Sequence, residues 1–406
     1  MTLINTIDQR FASLATDNAP GQETRQGNDT SLMRGERMSG RPVDFSHGDV
    51  DAFRPPEAAA TLFAEALNAG GSQAYTEYRG SRAIRDRLAR RLAGFTGRSF
   101  DADSLILTPG TQGALFLAVA ALVGPGDRIA IADPDYFANR KIPAFLGAEA
   151  VPVRLYYEST EESGLDLEAL EDAFREGVRV FLFSNPNNPL GVIYSPLEIE
   201  AIAALAGRYG VTVICDQLYS RLLYSGETYT HLCAQPRAPE NMVTIMGPSK
   251  TESLSGYRLG VAFGTPAIIE RMEQLQAIVS LRAGGYAQRV LDCWMDEPDG
   301  WMAQRIADHQ AIRDDLVGVL REVDGVSVRQ PQAGSYLFPD LPPLDVSLHD
   351  FVRLLREQAG VIVTPGSEFT RRPTLGIRFN FSQDHAAALA AMQRVADMIA
   401  RYRSGA

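Results

Sequence analysis

Between about residue 80 and residue 247, short apolar runs rich in β-branched residues alternate with longer stretches whose apolar residues recur at helical spacing. The runs "SLILT" (104–108), "RIAIADP" (128–134), "VRVFLFSNP" (178–186), "VTVICD" (211–216) and "MVTIMG" (242–247) predict strands. The stretches "AIRDRLARRLAGF" (83–95), "QGALFLAVAALV" (112–123), "DLEALEDAFREG" (166–177) and "SPLEIEAIAALAGRYG" (195–210) predict helices. Such alternation restricts the chain to βαβ units and a mostly parallel sheet covered on both faces, an α/β fold. After residue 290 the texture changes. A long helical pattern (301–323) precedes the short runs "VSVRQ" (326–330), "SYLFP" (335–339), "GVIVTP" (360–365) and "GIRFNFS" (376–382), and a last helical pattern follows over 386–403. That reads as a smaller α+β domain. Residues 1 to 40 are polar enough for a loosely held arm.

The apolar strands all stop at chemically informative text. "VFLF" ends in "SNPNNPLG", "VTVIC" in Asp216, "MVTIM" in "GPSK" and "LILT" in "PGTQG". Ligands of open parallel sheets sit just beyond the carboxyl ends of the strands, so these ends converge on one site. The turn "TPGTQG" leads into a helix, where backbone N–H groups and the Thr111 hydroxyl can cradle a phosphate. Its glycine spacing matches neither the dinucleotide nor the nucleoside-triphosphate motif. By itself the turn is as well explained by an ordinary strand-to-helix connection. Lys250, at the end of a buried strand, favours its neutral form if desolvated, and a neutral lysine amine makes Schiff bases. Alone it would read as a lysine with its ammonium in water. Asp216 can hold a cationic heterocycle nitrogen or simply cap a turn. Phosphate cradle, amine, carboxylate, and Asn188 and Tyr219 as donors together meet the needs of pyridoxal 5′-phosphate.

Composition narrows the partners. A formal net charge of −11 opposes nucleic-acid binding through a general basic surface. The longest apolar runs are too short to span a bilayer, and the N-terminus lacks a secretory signal, so no membrane partner and a cytoplasmic location are expected. Three cysteines among 406 residues, Cys215, Cys233 and Cys293, are too scattered for a disulfide framework or a zinc site. They read as small buried residues and no metal is expected.

The chain resembles the fold-type I pyridoxal-phosphate enzymes of the class I/II aminotransferase family from about residue 44 onward. "AYTEYRG" (74–80), "TPGTQGAL", "ADPDY" (132–136), "NPNNPLG" (185–191), "DQLY" (216–219), "SKTESLSGYRLG" (249–260), "PGSEF" (365–369) and "IRFNFS" (377–382) carry the resemblance. It implies a seven-stranded, mostly parallel central sheet in a large cofactor-binding domain over 51–290. It also implies a small C-terminal domain over 291–406, joined by part of residues 1–50. Lys250 resembles the residue that forms the Schiff base and shuttles the substrate proton, and Asp216 the partner of the ring nitrogen. Asn188 and Tyr219 resemble the donors to the ring hydroxylate, and Tyr136 the stacking aromatic. Gly110, Thr111, Gln112, Ser249 and Arg258 resemble the phosphate cup, which Tyr75 joins from the neighbouring subunit of an implied homodimer. Arg378 matches the clamp for the substrate α-carboxylate, and Gly48 the small residue closing over it.

Several positions depart from the family's usual text. Gly247 stands where Ser or Thr is usual, which removes a hydroxyl from the cup. "NNPLG" replaces "NNPTG". His47 precedes Gly48 where an apolar residue is usual and would sit near the substrate mouth. Gln112 replaces the Lys of some relatives that act on dicarboxylates, and Arg282 could hold a distal carboxylate across the dimer. Glu252 is unusual without an evident reason. The expected reaction moves an amino group between an L-amino acid and a 2-oxo acid. The same site also supports lyases, decarboxylases, cyclising enzymes and oxidases. A non-catalytic sensor is a further reading, which the lack of a helix-turn-helix extension opposes.

Overall fold

The computed structural model describes residues 6–14, 31–158 and 163–405. Eight strands form the central sheet: β2 (Leu105–Pro109), β3 (Arg128–Asp133), β4 (Glu149–Tyr156), β5 (Gly164–Leu165), β6 (Val180–Ser184), β7 (Thr212–Asp216), β8 (Met242–Met246) and β9 (Leu259–Gly264). A two-residue β1 (Val43–Asp44) precedes them. Across the sheet the order is β2-β9-β8-β7-β6-β3-β4-β5. β9 runs antiparallel to β2 and β8, and β5 antiparallel to β4, while the remaining pairs are parallel. Seven strands thus carry the sheet, and β5 adds a short eighth at its edge.

Period-two burial explains why these runs became strands. Phe181, Phe183, Val213 and Cys215 enter one core, whereas Val180, Leu182 and Ile214 enter the core on the opposite face. Helices cover both faces, so strands with no polar side read as continuous apolar runs. Helix Pro196–Tyr209 shows how local chemistry fixes an element. Ser195 and Glu198 form a reciprocal capping box at its start, and Gly210 in the left-handed region ends it.

Three sheet strands are absent from the predicted set, the two-residue β5 among them. β4 contains Pro152 and alternates exposed with buried positions, and β9 is a short run that itself contains Gly260 and Gly264. Both lack the β-branched density that marks the others. Conversely, "VSVRQ" forms no strand: Ser327 makes only an isolated bridge to Asp340.

A second core gathers Val43, Phe45 and Phe53 with residues from 312 onward, among them Leu316, Phe351, Phe379 and Tyr402. Here β10 (Tyr336–Leu337), β11 (Val361–Ile362), β12 (Thr364–Pro365) and β13 (Ile377–Asn380) make small sheets, with β1 parallel to β11. The expected loose arm is corrected for residues 31–40. The Arg34 backbone N–H donates to the Tyr402 hydroxyl at 2.7 Å, and that of Met38 to the Gln358 carbonyl at 2.7 Å. Helix Thr6–Leu14 packs Phe11 edge-on against Phe145, with centroids 5.7 Å apart. The rest of the expected arm lies outside the described residues. No helix among the described residues is long and apolar enough to cross a membrane.

Candidate active site

Parallel pairing levels the strand ends. Ser184 at the end of β6 lies opposite Asp216 at the end of β7, which lies opposite Ile245 of β8. Lys250 follows β8 by four residues and Asn188 follows β6 by four. These ends open into a cavity of about 260 Å³ that also receives Tyr219, Tyr136 and Arg378. Its remaining walls include Thr111, Gln112, Ser249, Arg258 and His47.

One end of the cavity is a cradle that only glycine permits. Helix Gly110–Ala120 begins with Gly110 at φ +79°, and a Cβ there would lie 2.3 Å from an Arg258 guanidinium nitrogen. Arg258 itself has φ +53°, which turns its side chain back over the helix start. A Cβ on Gly260 would lie 2.4 Å from the Gly110 carbonyl carbon. At Gly247 a Cβ would come within 2.8 Å of the Thr111 methyl. The missing hydroxyl at Gly247 therefore has a packing reason: the Thr111 methyl occupies its place. Unpaired helix N–H groups, the Thr111, Ser249 and Ser255 hydroxyls, and the Arg258 cation converge there, as a phosphate dianion requires.

At the middle of the cavity sits Asp216. Burial pushes its carboxyl up to about 6, opposed by the Leu218 backbone N–H, which donates to it at 3.1 Å. A cationic ring nitrogen beside Asp216 would restore the ionised form. Tyr136 reaches over the cavity and donates from its hydroxyl to Gln112 Oε1 at 3.0 Å.

The far end is built around Arg378, which is 2 % exposed. One terminal nitrogen donates to Asn188 Oδ1 at 3.0 Å and the other to the Ser46 carbonyl at 3.1 Å. Its Nε is buried without a hydrogen bond. The Tyr336 and Phe369 rings flank the guanidinium with centroids at 4.4 and 4.7 Å. Tyr219 and Tyr336 share a hydrogen bond of 2.6 Å between hydroxyls. Burial drives Tyr219 well above its ordinary range. For Tyr336 burial acts in the same direction, but the Arg378 and Lys250 charges outweigh it and lower the phenol.

Not every sequence candidate enters this cavity. Gly48 lies beside it, where a Cβ would meet the Ser382 hydroxyl at 3.3 Å. Tyr75 is 81 % exposed and lines no part of it. Arg282 also stays outside, with its guanidinium 5.3 Å from both the Tyr75 and Tyr78 rings and donating to the Thr76 carbonyl at 2.5 Å. Ser46 and Tyr336 are wall residues that sequence reading passed over. Only the β10–β13 pairing, Tyr336 opposite Asn380, brings that tyrosine beside Arg378.

The family profile described as aminotransferase class I and II matches residues 41–395. The chain belongs to the class I and II aminotransferase family. Pyridoxal phosphate is the cofactor of class I aminotransferases, and the cradle, the carboxylate and the lysine fit it. A crystal structure of an aspartate aminotransferase from Rhodobacter sphaeroides is 61% identical, with TM-score 0.93 over 98% of this chain and 100% of that one. An aspartate aminotransferase of Sulfolobus acidocaldarius is 27% identical over 81% of this chain and 83% of its own length. The arginine–pyruvate transaminase of Pseudomonas aeruginosa is also 27% identical, over 80% and 81%.

Proposed function

We propose that this aminotransferase takes an acidic L-amino acid, with aspartate as donor, and passes its amino group to a 2-oxo acid. The Rhodobacter sphaeroides protein's description as an aspartate aminotransferase supports the donor, at 61% identity. The observation that carries the reaction itself is Arg378, whose fork and unpartnered Nε lie in the same cavity as Lys250 and Asp216.

When bound, pyridoxal phosphate supplies an aldehyde for the substrate nitrogen and a ring that takes up electrons from the substrate Cα. Lys250 is the amine that holds that aldehyde between turnovers and the base that moves the Cα proton. Asp216 keeps the ring nitrogen protonated. Asn188 already accepts from Arg378 through Oδ1, so its amide N–H₂ is the half left to donate to the ring hydroxyl. Tyr219 keeps its proton for the same oxygen, because burial opposes its ionisation. Arg378 binds the α-carboxylate by charge-assisted hydrogen bonds, and its flanking rings fix its plane.

We also place a second copy of the chain against Tyr75. Tyr75, Ile278, Val279 and Leu281 are exposed apolar side chains, and the Arg282 contacts hold the 73–78 and 281–285 segments together. Such a patch supports a homodimer in which Tyr75 faces the neighbouring cavity.

A single-turnover experiment tests the reaction. Holoenzyme mixed with aspartate should transfer the amino group to its cofactor without releasing ammonia, and Lys250→Ala should lose at least about 10³-fold in rate. Ammonia release without cofactor amination would sink the aminotransferase reading. Equal rates with aspartate, alanine and arginine would sink the acidic donor alone.

A further inference from the structure

On the other side of Tyr136 from the reaction site lies a second cavity, of about 390 Å³. It is set between the ends of β3 and β4, helix Phe137–Leu146 and the 369–372 segment of the small domain. Ile131, Ala150, Pro152 and Phe369 give it an apolar lining. Four arginines, Arg140, Arg154, Arg371 and Arg372, meet only two carboxylates there, those of Asp133 and Asp135.

Two of the arginines are already satisfied. Arg154 pairs with Glu158 at 2.7 Å, and Arg372 lies 3.3 Å from Asp133. The other two are not. Arg140 donates to the Glu368 backbone carbonyl at 3.2 Å, and neither it nor Arg371 forms an ion pair with a carboxylate among the described residues. Burial, and then the charge of Arg371, lower the Arg140 guanidinium below its ordinary range, and the more weakly felt charges of Glu368 and Asp133 do not offset them. Asp135 offers little relief. Its carboxylate accepts from the Ser184 N–H at 2.9 Å, from the Ser184 hydroxyl and from the Tyr136 N–H at 2.6 Å, and burial pushes it up to about 7.

Two unpaired guanidiniums facing an apolar floor call for one kind of guest: an anion at one end and hydrocarbon at the other. We propose that this cavity is a second ligand site, which binds an organic carboxylate with an apolar body by bridging Arg140 and Arg371. It is separate from the Arg378 clamp. The two sites share the Tyr136 wall, and Phe369 lines the new cavity while flanking Arg378.

Calorimetric titration of the holoenzyme with phenylacetate tests this, because it reads binding without turnover. The expected stoichiometry is two per chain, one at each site. Arg378→Ala should remove one equivalent and leave the other. Arg371→Gln alters an exposed loop residue, so folding and basal turnover should be unchanged while the second equivalent weakens about tenfold or more. Arg140→Gln should do the same. The proposal is overturned by a stoichiometry of one that Arg378→Ala abolishes, or by a second equivalent indifferent to both Arg371→Gln and Arg140→Gln. Inorganic sulfate competing as tightly as phenylacetate would overturn the apolar part of the assignment.

Discussion

Glu252 follows Lys250 by two residues and is fully buried. Its partner is Arg221, which also binds Glu297 through two hydrogen bonds of 2.8 Å, so one cation serves two carboxylates. Glu252 Oε2 is left without a hydrogen bond. The residue that looked unexplained in the sequence thus anchors the turn carrying Lys250 to the segment near residue 297. Burial raises its carboxyl from 4.5 to about 7, against the opposing charge of Arg221. A carboxyl raised by folding binds its proton more tightly in the native state. Its contribution is therefore full below about 4.5 and is lost as pH rises through about 7. Asp135 and Asp216 act with the same sign in the cofactor-free protein. Thermal unfolding of the cofactor-free protein should show Tm falling between about pH 5 and 8, and Glu252→Gln should flatten that slope. An unchanged slope in the variant would show that Glu252 does not titrate there.

At the scale of elements, the phosphate cradle depends on how closely β9 approaches helix Gly110–Ala120. A side chain on Gly260 would collide with the backbone of Gly110 and Thr111 at 2.4 to 2.5 Å, and backbone cannot swing aside as a flexible side chain can. Gly260→Ala should cost about 2 kcal/mol through overpacking and also weaken cofactor retention, because the helix start itself must move. Ser195→Ala removes a cap from a helix remote from the cradle. It should cost about 1 kcal/mol and leave cofactor affinity unchanged. Denaturant melts paired with cofactor titrations separate the two. Equal cofactor affinity in both variants would refute a β9-dependent cradle. The motif "TPGTQG" was legible as a turn before a helix, but its partner strand was not, since β9 contributes glycines and a backbone approach rather than a residue pattern.

For the whole molecule, assembly is the open property. Ile278 is 81 % exposed at the end of helix Pro266–Val279, beside the Tyr75 segment, where a lone chain would leave a sticky patch. Sedimentation velocity should report a dimer for the native chain and a monomer for Ile278→Asp. Activity should fall with dissociation if Tyr75 completes the neighbouring cavity. A native monomer with full activity would remove the homodimer from the proposal.

The alternation of apolar runs determined the α/β class and the parallel core strands, because a strand buried on both faces needs little beyond its own hydrophobic, β-branched text. Sequence text also located the strand-end residues now gathered in one cavity, Lys250, Asp216 and Asn188 among them. Tertiary structure alone decided the rest. Tyr336 joins Arg378 through antiparallel pairing, Glu252 finds Arg221 across 31 residues, and Arg140 and Arg371 line one cavity. Such meetings follow from how elements distant in the sequence pack together, and no local period or spacing encodes them.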